Sequence, residues 1–417
     1  MYDLPPIVGT LGEEVEISSL IQEELSISIS DEDLSSVQKL NEDQSRAYKT
    51  IMEAIERKES KVFFIDGPGG TGKTYLCRAI LATVRKNGGI ALATTTSGIA
   101  ATMLPGGRTA HSRFQLPMTP TSTSTCRTKK QTEEAKLLRH GIVLMWDEAT
   151  MAHPYSLEAF DRTMRDITGI EEPFGGKILI MGGDFRKVLP VIPRSTRGQT
   201  VDACLSRSHL WENVHVLHLK KNMRAAEDAS YSEFLIRVGD GDEPCIANER
   251  IKVPEEMVIP WVSDASLAQL IDVTFPNLVE NARDVDYMVN SALITPLNEC
   301  VEKLTDRVFS IFPGEEVLFY SFDPVDDDTH GLYQQEYLNN IDPGGLPSHI
   351  LKLKIGAPIM LLRNVDAKNG LCNGTRLIIK EFFPNCIDAV IISGDYIGTR
   401  VFIHRMPLEP PENLKLP

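Results

Sequence analysis

Unbroken apolar runs, separated by stretches of helical period, organise the first half of this chain. Val62–Ile65, Ile90–Thr95, Gly141–Trp146 and Lys177–Met181 are short and rich in β-branched or bulky apolar residues, the pattern of strands buried on both faces. Between them the apolar positions shift to spacings of three and four. Leu76, Ala79, Ile80 and Val84 share one helical face that stops at Asn87-Gly88. Leu157, Phe160, Met164 and Ile167 do the same over Ser156–Thr168, and an earlier helix runs through Ile51 and Ile55. Strands alternating with helices predict an α/β domain around a parallel sheet with helices on both faces. A further strand is expected near Val214–Leu219.

Beyond about residue 225 the texture changes. Ser291–Pro296 (SALITP) reads as another buried strand, and Asn298 opens a helix through Val308. Residues 323–348 are acidic and rich in turn formers. From Ile350 to Ile403, short β runs are broken by Gly356-Ala-Pro, Asn369-Gly, Asn373-Gly and Gly394-Asp, hairpin signals that predict a small barrel-like module. No internal repeat is visible.

Composition narrows the class. A 42% apolar content supports proper cores, and 417 residues suggest two or three domains. The longest apolar runs are far too short to span a bilayer. Seven scattered cysteines, without a C-x-x-C pair, read as ordinary thiols in a reducing compartment. The net charge is −15, of which residues 1–36 carry −9 and no Lys or Arg. That stretch is expected to be a mobile acidic leader, unlike a secretory signal or an Arg-rich transit peptide. A chain that binds nucleic acid usually has a basic excess, so any such contact here must come from a local groove.

The candidate chemistry sits where the apolar runs end. After Val62–Ile65 comes Gly67-Pro-Gly69-Gly70-Thr71-Gly72-Lys73-Thr74, the phosphate-loop pattern. Its glycines let backbone N–H groups turn inward around phosphate oxygens, and the following helix points its N-terminus at them. Lys73 is positioned for the β- and γ-phosphates, and the Thr74 hydroxyl for Mg²⁺. The strand 141–146 ends in Asp147-Glu148, suiting Asp147 to Mg²⁺ and Glu148 to orienting and deprotonating an attacking water. Gln44 is either a surface residue of its helix or an amide gripping the adenine edge. Ser97, Gly98, His111 and Ser112 suit a sugar–phosphate backbone, or else their hydroxyls cap helices. Phe114 is a candidate for stacking on a base. Arg224 is either a salt-bridged surface residue or an arginine finger.

Taken in order, LNEDQ, GPGGTGKT, TSGIAAT–GGRTAHSRF, WDEA, GGDFRKVLPVIP and LKKNMR resemble the Pif-one (petite integration frequency) DNA helicases. LITPLNE and LKLKIGAPIMLLRNVDAKNGLCNGTRL continue the likeness, which is nearest to the Pif-type region of plant Helitron transposons and covers roughly residues 37–410. The resemblance implies a superfamily-one helicase, a P-loop NTPase whose two RecA-like domains clamp ATP and walk 5′ to 3′ on single-stranded DNA. It implies use of ATP and Mg²⁺, action on single-stranded and 5′-tailed duplex DNA, roles in repair, recombination and telomere maintenance, and a nuclear location. By similarity Gln44 contacts adenine, Lys73 and Thr74 hold phosphates and Mg²⁺, Asp147 and Glu148 act in hydrolysis, and Ser97, Gly98, His111 and Ser112 track the strand.

On that pattern the chain divides into an acidic leader (1–36), a first RecA-like ATPase domain (37–215), a partial second one (216–322), a β-rich insertion (323–410) and a tail (411–417). Two departures from the family stand out. Lys187 occupies the place of a glutamine that senses the γ-phosphate, and a lysine lacks that amide's acceptor. The late SKSQG-like and VALSR-like motifs do not occur before Pro417, so the second RecA-like domain is expected to be incomplete. The alternative is therefore a degenerate or truncated relative that binds ATP and DNA without unwinding. The expectation is nucleotide binding with weak or no unwinding.

Overall fold

The computed structural model describes residues 18–187, 190–192, 195–225, 227–247, 250–321, 349–366, 369–394 and 396–407. The chain forms two compact units, Met1–Glu243 and Pro244–Pro417.

The first unit is built on a six-stranded sheet. Its strands are β1 (Val62–Asp66), β2 (Ile90–Thr95), β3 (Arg108–Thr109), β4 (Gly141–Asp147), β5 (Ile178–Gly183) and β6 (Val214–His218). They run in the order β3-β2-β4-β5-β1-β6, and every pairing is parallel. Alternation along each strand sorts its side chains to opposite faces. Phe64, Leu92, Leu144, Trp146 and Met181 join one core, while Phe63, Ile65, Ala93, Met145 and Ile180 join the other. Helices α3 (Glu42–Glu56) and α4 (Lys73–Lys86) cover the second face through Ile51, Leu76 and Ile80. The first is covered by α7 (Glu133–His140) and α8 (Pro154–Thr168) through Leu137, Leu157 and Phe160. Each fully buried Phe, Leu or Ile contributes about 1.5–3 kcal/mol, so the strands need water excluded from both sides. Helix α8 starts on Pro154 and ends at Gly169, whose φ of 72° favours glycine.

Two short helices, α1 (Ser19–Leu25) and α2 (Asp31–Ser36), correct the expectation of a mobile leader for its described part. Ile21 enters the core beside α7 and α8. Glu24 pairs with Arg113 in a site where both side chains are under 5% exposed. Asp33 holds Arg78 at 2.7 and 3.1 Å, and Glu23 holds Arg108 at 2.9 Å. Acidic composition therefore marked partners for arginines rather than solvated chain. Residues 1–17 lie outside the described residues.

The remaining described α-helices of this unit are α5 (Gly98–Ala101), α6 (Ala110–Phe114), α9 (Arg197–Asp202) and α10 (Ala229–Asp240). The second unit holds helices α11 (Asp264–Thr274), α12 (Leu278–Asn281), α13 (Val285–Asn290) and α14 (Asn298–Ile311). Its strands are β7 (Cys245–Ala247), β8 (Arg250–Ile251), β9 (Val317–Tyr320), β10 (Ile350–Leu353), β11 (Pro358–Met360), β12 (Arg376–Phe383), β13 (Cys386–Ile391) and β14 (Arg400–His404). Pairs β7–β8 and β9–β10 are two-stranded, and β11-β12-β13-β14 form one antiparallel sheet around Leu377, Ala389 and Ile391. The strand expected at Ser291–Pro296 is irregular chain, with Ile294 95% exposed. Among the described residues that run has no strand partner, and its Leu293 packs partly buried against the core around Ile271 and Phe275. The acidic segment 323–348 falls outside the described residues. No described helix is long and apolar enough to cross a membrane.

Candidate nucleotide and nucleic-acid site

The carboxyl ends of β1, β4 and β5 bring the phosphate loop and the acidic pair together. In an open parallel sheet this edge is where ligands bind. The loop turns from β1 into α4 through Gly72, whose φ is 77° and whose missing side chain leaves room for the Gln44 amide. Gln44 is 2% exposed and closes a capping box on α3: its Oε1 accepts from Asn41 N–H and its backbone N–H donates to Asn41 Oδ1, both at 3.0 Å. Its Nε2 donates to Thr71 O at 3.0 Å, so the amide braces the loop. From the other side, Asn222 Nδ2 donates to Gly69 O and Met223 N–H to Gly70 O, at 3.3 and 2.8 Å. Asn222 was missed in the sequence, although it lies within the LKKNMR stretch that drew attention to Arg224.

Lys73 is 7% exposed, and its Nζ donates to Gly67 O at 2.6 Å and Pro68 O at 3.3 Å. Burial, and next the charge of Lys187, lowers its pKa from the ordinary lysine value, while Asp184, Asp147 and Glu148 oppose that shift. Thr74 Oγ1 donates to Asp147 Oδ2 at 3.3 Å. Asp147 also accepts from Glu148 N–H at 2.9 Å, and burial raises its pKa. Gly182 on β5 makes this close approach possible, because a Cβ there would lie 2.5 Å from Asp147 Oδ1.

Glu148 has φ 52° and ψ 34°, a left-handed conformation that a residue with a side chain adopts only when its surroundings hold it there. Thr96 supplies part of that hold. Its Oγ1 accepts from Trp146 Nε1 at 3.0 Å and donates to Glu148 O at 2.7 Å, while its N–H donates to Asp147 O at 3.2 Å. Glu148 Oε1 is paired with Lys187 Nζ at 2.6 Å, and its buried Oε2 has no hydrogen-bond partner among the described residues. A carboxylate oxygen and a hydroxyl facing a phosphate loop fit the hard oxygen donors that Mg²⁺ takes beside substrate phosphates. No cluster of three or more His, Cys, Asp or Glu able to hold a metal occurs among the described residues.

The second candidate group lies farther along the same sheet edge. Pairing of Thr94 with Arg108 and Thr95 with Thr109 brings Ser97-Gly98 and His111-Ser112 to the carboxyl ends of neighbouring strands. Both readings of the hydroxyls find partial support. Ser97 Oγ accepts from Ala100 N–H to cap α5, and Thr109 caps α6 by accepting from Ser112 N–H, whereas Ser112 itself is exposed. His111 is partly buried, which pushes its pKa below the usual imidazole value. Phe114 must be corrected: it is 0% exposed and stacks on Phe160 with ring centroids 3.9 Å apart, so no face is left for a base. Its helical spacing placed it inward, against α8. Arg224 is exposed beside the loop, its N–H donating to Asn222 Oδ1 at 2.9 Å.

The family model described as PIF1-like helicase matches residues 39–249, and that of the DNA helicase Pif1 2B domain matches residues 336–382. The ATP-dependent DNA helicase PIF1 of Danio rerio is 26% identical over 353 residues, covering 83% of this chain and 47% of the relative. The ATP-dependent DNA helicase Pif1 of a Psychrobacter strain is 25% identical over 322 residues, covering 76% and 44%. The chain thus spans about half the length of the curated relatives it matches. A crystal structure of Pif1 helicase from Bacteroides in complex with ADP-AlF3 and ssDNA has the same fold, with a TM-score of 0.58 at 23% identity over 86% of this chain and 73% of that one.

Proposed function

This chain belongs to the PIF1-like helicase family, and on that premise we propose that it is an ATP-driven DNA motor. One observation carries the reading: Lys73, Thr74, Asp147 and Glu148 converge at the carboxyl edge of one parallel sheet, with Thr74 and Asp147 3.3 Å apart. Lys73 exchanges its loop carbonyls for the β- and γ-phosphates. Thr74 and Asp147 are the residues that would hold Mg²⁺, which would supply charge to neutralise the phosphate oxygens. Glu148 orients the water and takes its proton. Gln44 serves the adenine edge with the amide hydrogen and oxygen lone pair left over from its two protein bonds. Arg224 stabilises the charge that develops on the γ-phosphate.

Ser97, Gly98, His111 and Ser112 are the strand-tracking residues of this reading. The Bacteroides relative was crystallised with ssDNA, which supports single-stranded DNA as the track here; a 5′-tailed duplex is the substrate of the same proposal. Movement from 5′ to 3′, a nuclear location and roles in repair, recombination and telomere maintenance belong to the same proposal.

The test is DNA-stimulated ATP hydrolysis by the purified chain beside Lys73→Ala. The variant should lose at least about a hundredfold in turnover, because a desolvated phosphate contact is removed. Equal rates in the two proteins would remove the enzymatic reading. Strand displacement on a 5′-tailed duplex then separates a motor from an ATPase that does not unwind.

A further inference from the structure

We propose that Lys187 is a latch on Glu148, released when its ammonium group passes from that carboxylate to the γ-phosphate of ATP. The inference rests on the ATPase reading above and adds a specificity-determining residue to it. Lys187 Nζ lies 2.6 Å from Glu148 Oε1. A carboxylate committed to an ammonium group is a poorer proton acceptor and is turned toward its partner, away from a water. The pairing is also incomplete, since the buried Oε2 has no hydrogen-bond partner among the described residues. Glu148 is thus half engaged, on a backbone already fixed in a left-handed conformation.

The lysine is placed to move. Its side chain is 40% exposed, on a flexible four-carbon stem, while that of Glu148 is 20% exposed. It follows the end of β5, the strand paired with the phosphate-loop strand β1, where Asp66 stands beside Gly183. Its neighbour Arg186 is anchored by Asp240 at 2.6 Å and by Asp184 at 3.5 Å, which fixes the backbone from which Lys187 swings. A terminal phosphate carries roughly 1.5–2 negative charges and three strong acceptor oxygens, against one charge on a carboxylate. It therefore takes the ammonium group from Glu148. ADP lacks that phosphate and leaves the latch shut, so the residue distinguishes the two nucleotides and keeps Glu148 from acting until ATP is seated.

The experiment is equilibrium binding of ADP and of a non-hydrolysable ATP analogue, with magnesium, to the whole chain and to Lys187→Met and Lys187→Arg. In Lys187→Met, affinity for the analogue should fall about tenfold, the value of one hydrogen bond to a charged group, with ADP affinity unchanged within about twofold. Lys187→Arg, which keeps the charge, should restore most of the preference for the analogue. A Met variant with the parent's analogue-to-ADP ratio, or one losing both nucleotides equally, overturns the latch while leaving the ATPase reading standing. A parent chain that binds neither nucleotide overturns that reading and the latch together.

Discussion

Glu148 owes its position to a neighbour whose role is invisible in a motif. The Thr96 hydroxyl ties the Trp146 indole to the Glu148 carbonyl, at 3.0 and 2.7 Å, and so secures a backbone at φ 52°. Thr96 also precedes Ser97-Gly98, so the loop proposed to track DNA is hydrogen-bonded directly to the proposed catalytic acids. Thr96→Val keeps the β-branched shape and removes both bonds. Turnover should fall about tenfold through a mispositioned base, with nucleotide affinity within about twofold of the parent. Steady-state hydrolysis and a nucleotide titration check this; an unchanged turnover would mean Glu148 is held by other contacts. Residues such as Lys73, Thr74, Asp147 and Glu148 were readable from the sequence because each group lies within a few positions of the apolar strand that it follows. Thr96 and Asn222 were not, because their partners are 52 and 153 residues away and only the sheet order brings them together.

The four central strands of the parallel sheet, β1, β2, β4 and β5, were legible for a physical reason: burial on both faces leaves nearly unbroken apolar runs, whereas the edge strand β3 is only two polar residues long. Where burial has another cause, the pattern misled. The SALITP run is apolar but has no strand partner among the described residues, and α1 and α2 are too short and acidic to give a helical period yet are held by ion pairs. The Glu24–Arg113 pair lets this be tested, since both side chains are under 5% exposed. Removing one partner strands a buried charge, at a cost of about 3–5 kcal/mol. Glu24→Gln should therefore lower the melting temperature of the first unit by roughly 10 °C for a fold of this size. The double variant Glu24→Leu with Arg113→Met should recover much of the loss, because it strands no charge. Calorimetry showing no change in the single variant would return α1 to the status of a loose leader.

At the scale of the whole molecule, the question is how a chain of net charge −15 would hold a polyanion. Near the β2–β3 edge the arginines are already committed: Arg108 to Glu23 at 2.9 Å, Arg113 to Glu24, and Arg78 to Asp33. His111, its pKa lowered by burial, stays neutral near pH 7. What this edge offers a strand is hydroxyls, an imidazole and backbone N–H groups, which fix register and release few counterions. For single strands the slope of log K against log salt is about −0.7 per neutralised phosphate, so an edge of uncharged donors corresponds to a slope no steeper than about −2, the value for two or three phosphates. Titrating labelled single-stranded DNA from low to moderate salt should give that shallow slope. One steeper than about −3.5 means five or more phosphates neutralised, and would show that the DNA path runs over cations elsewhere on the chain rather than along this edge.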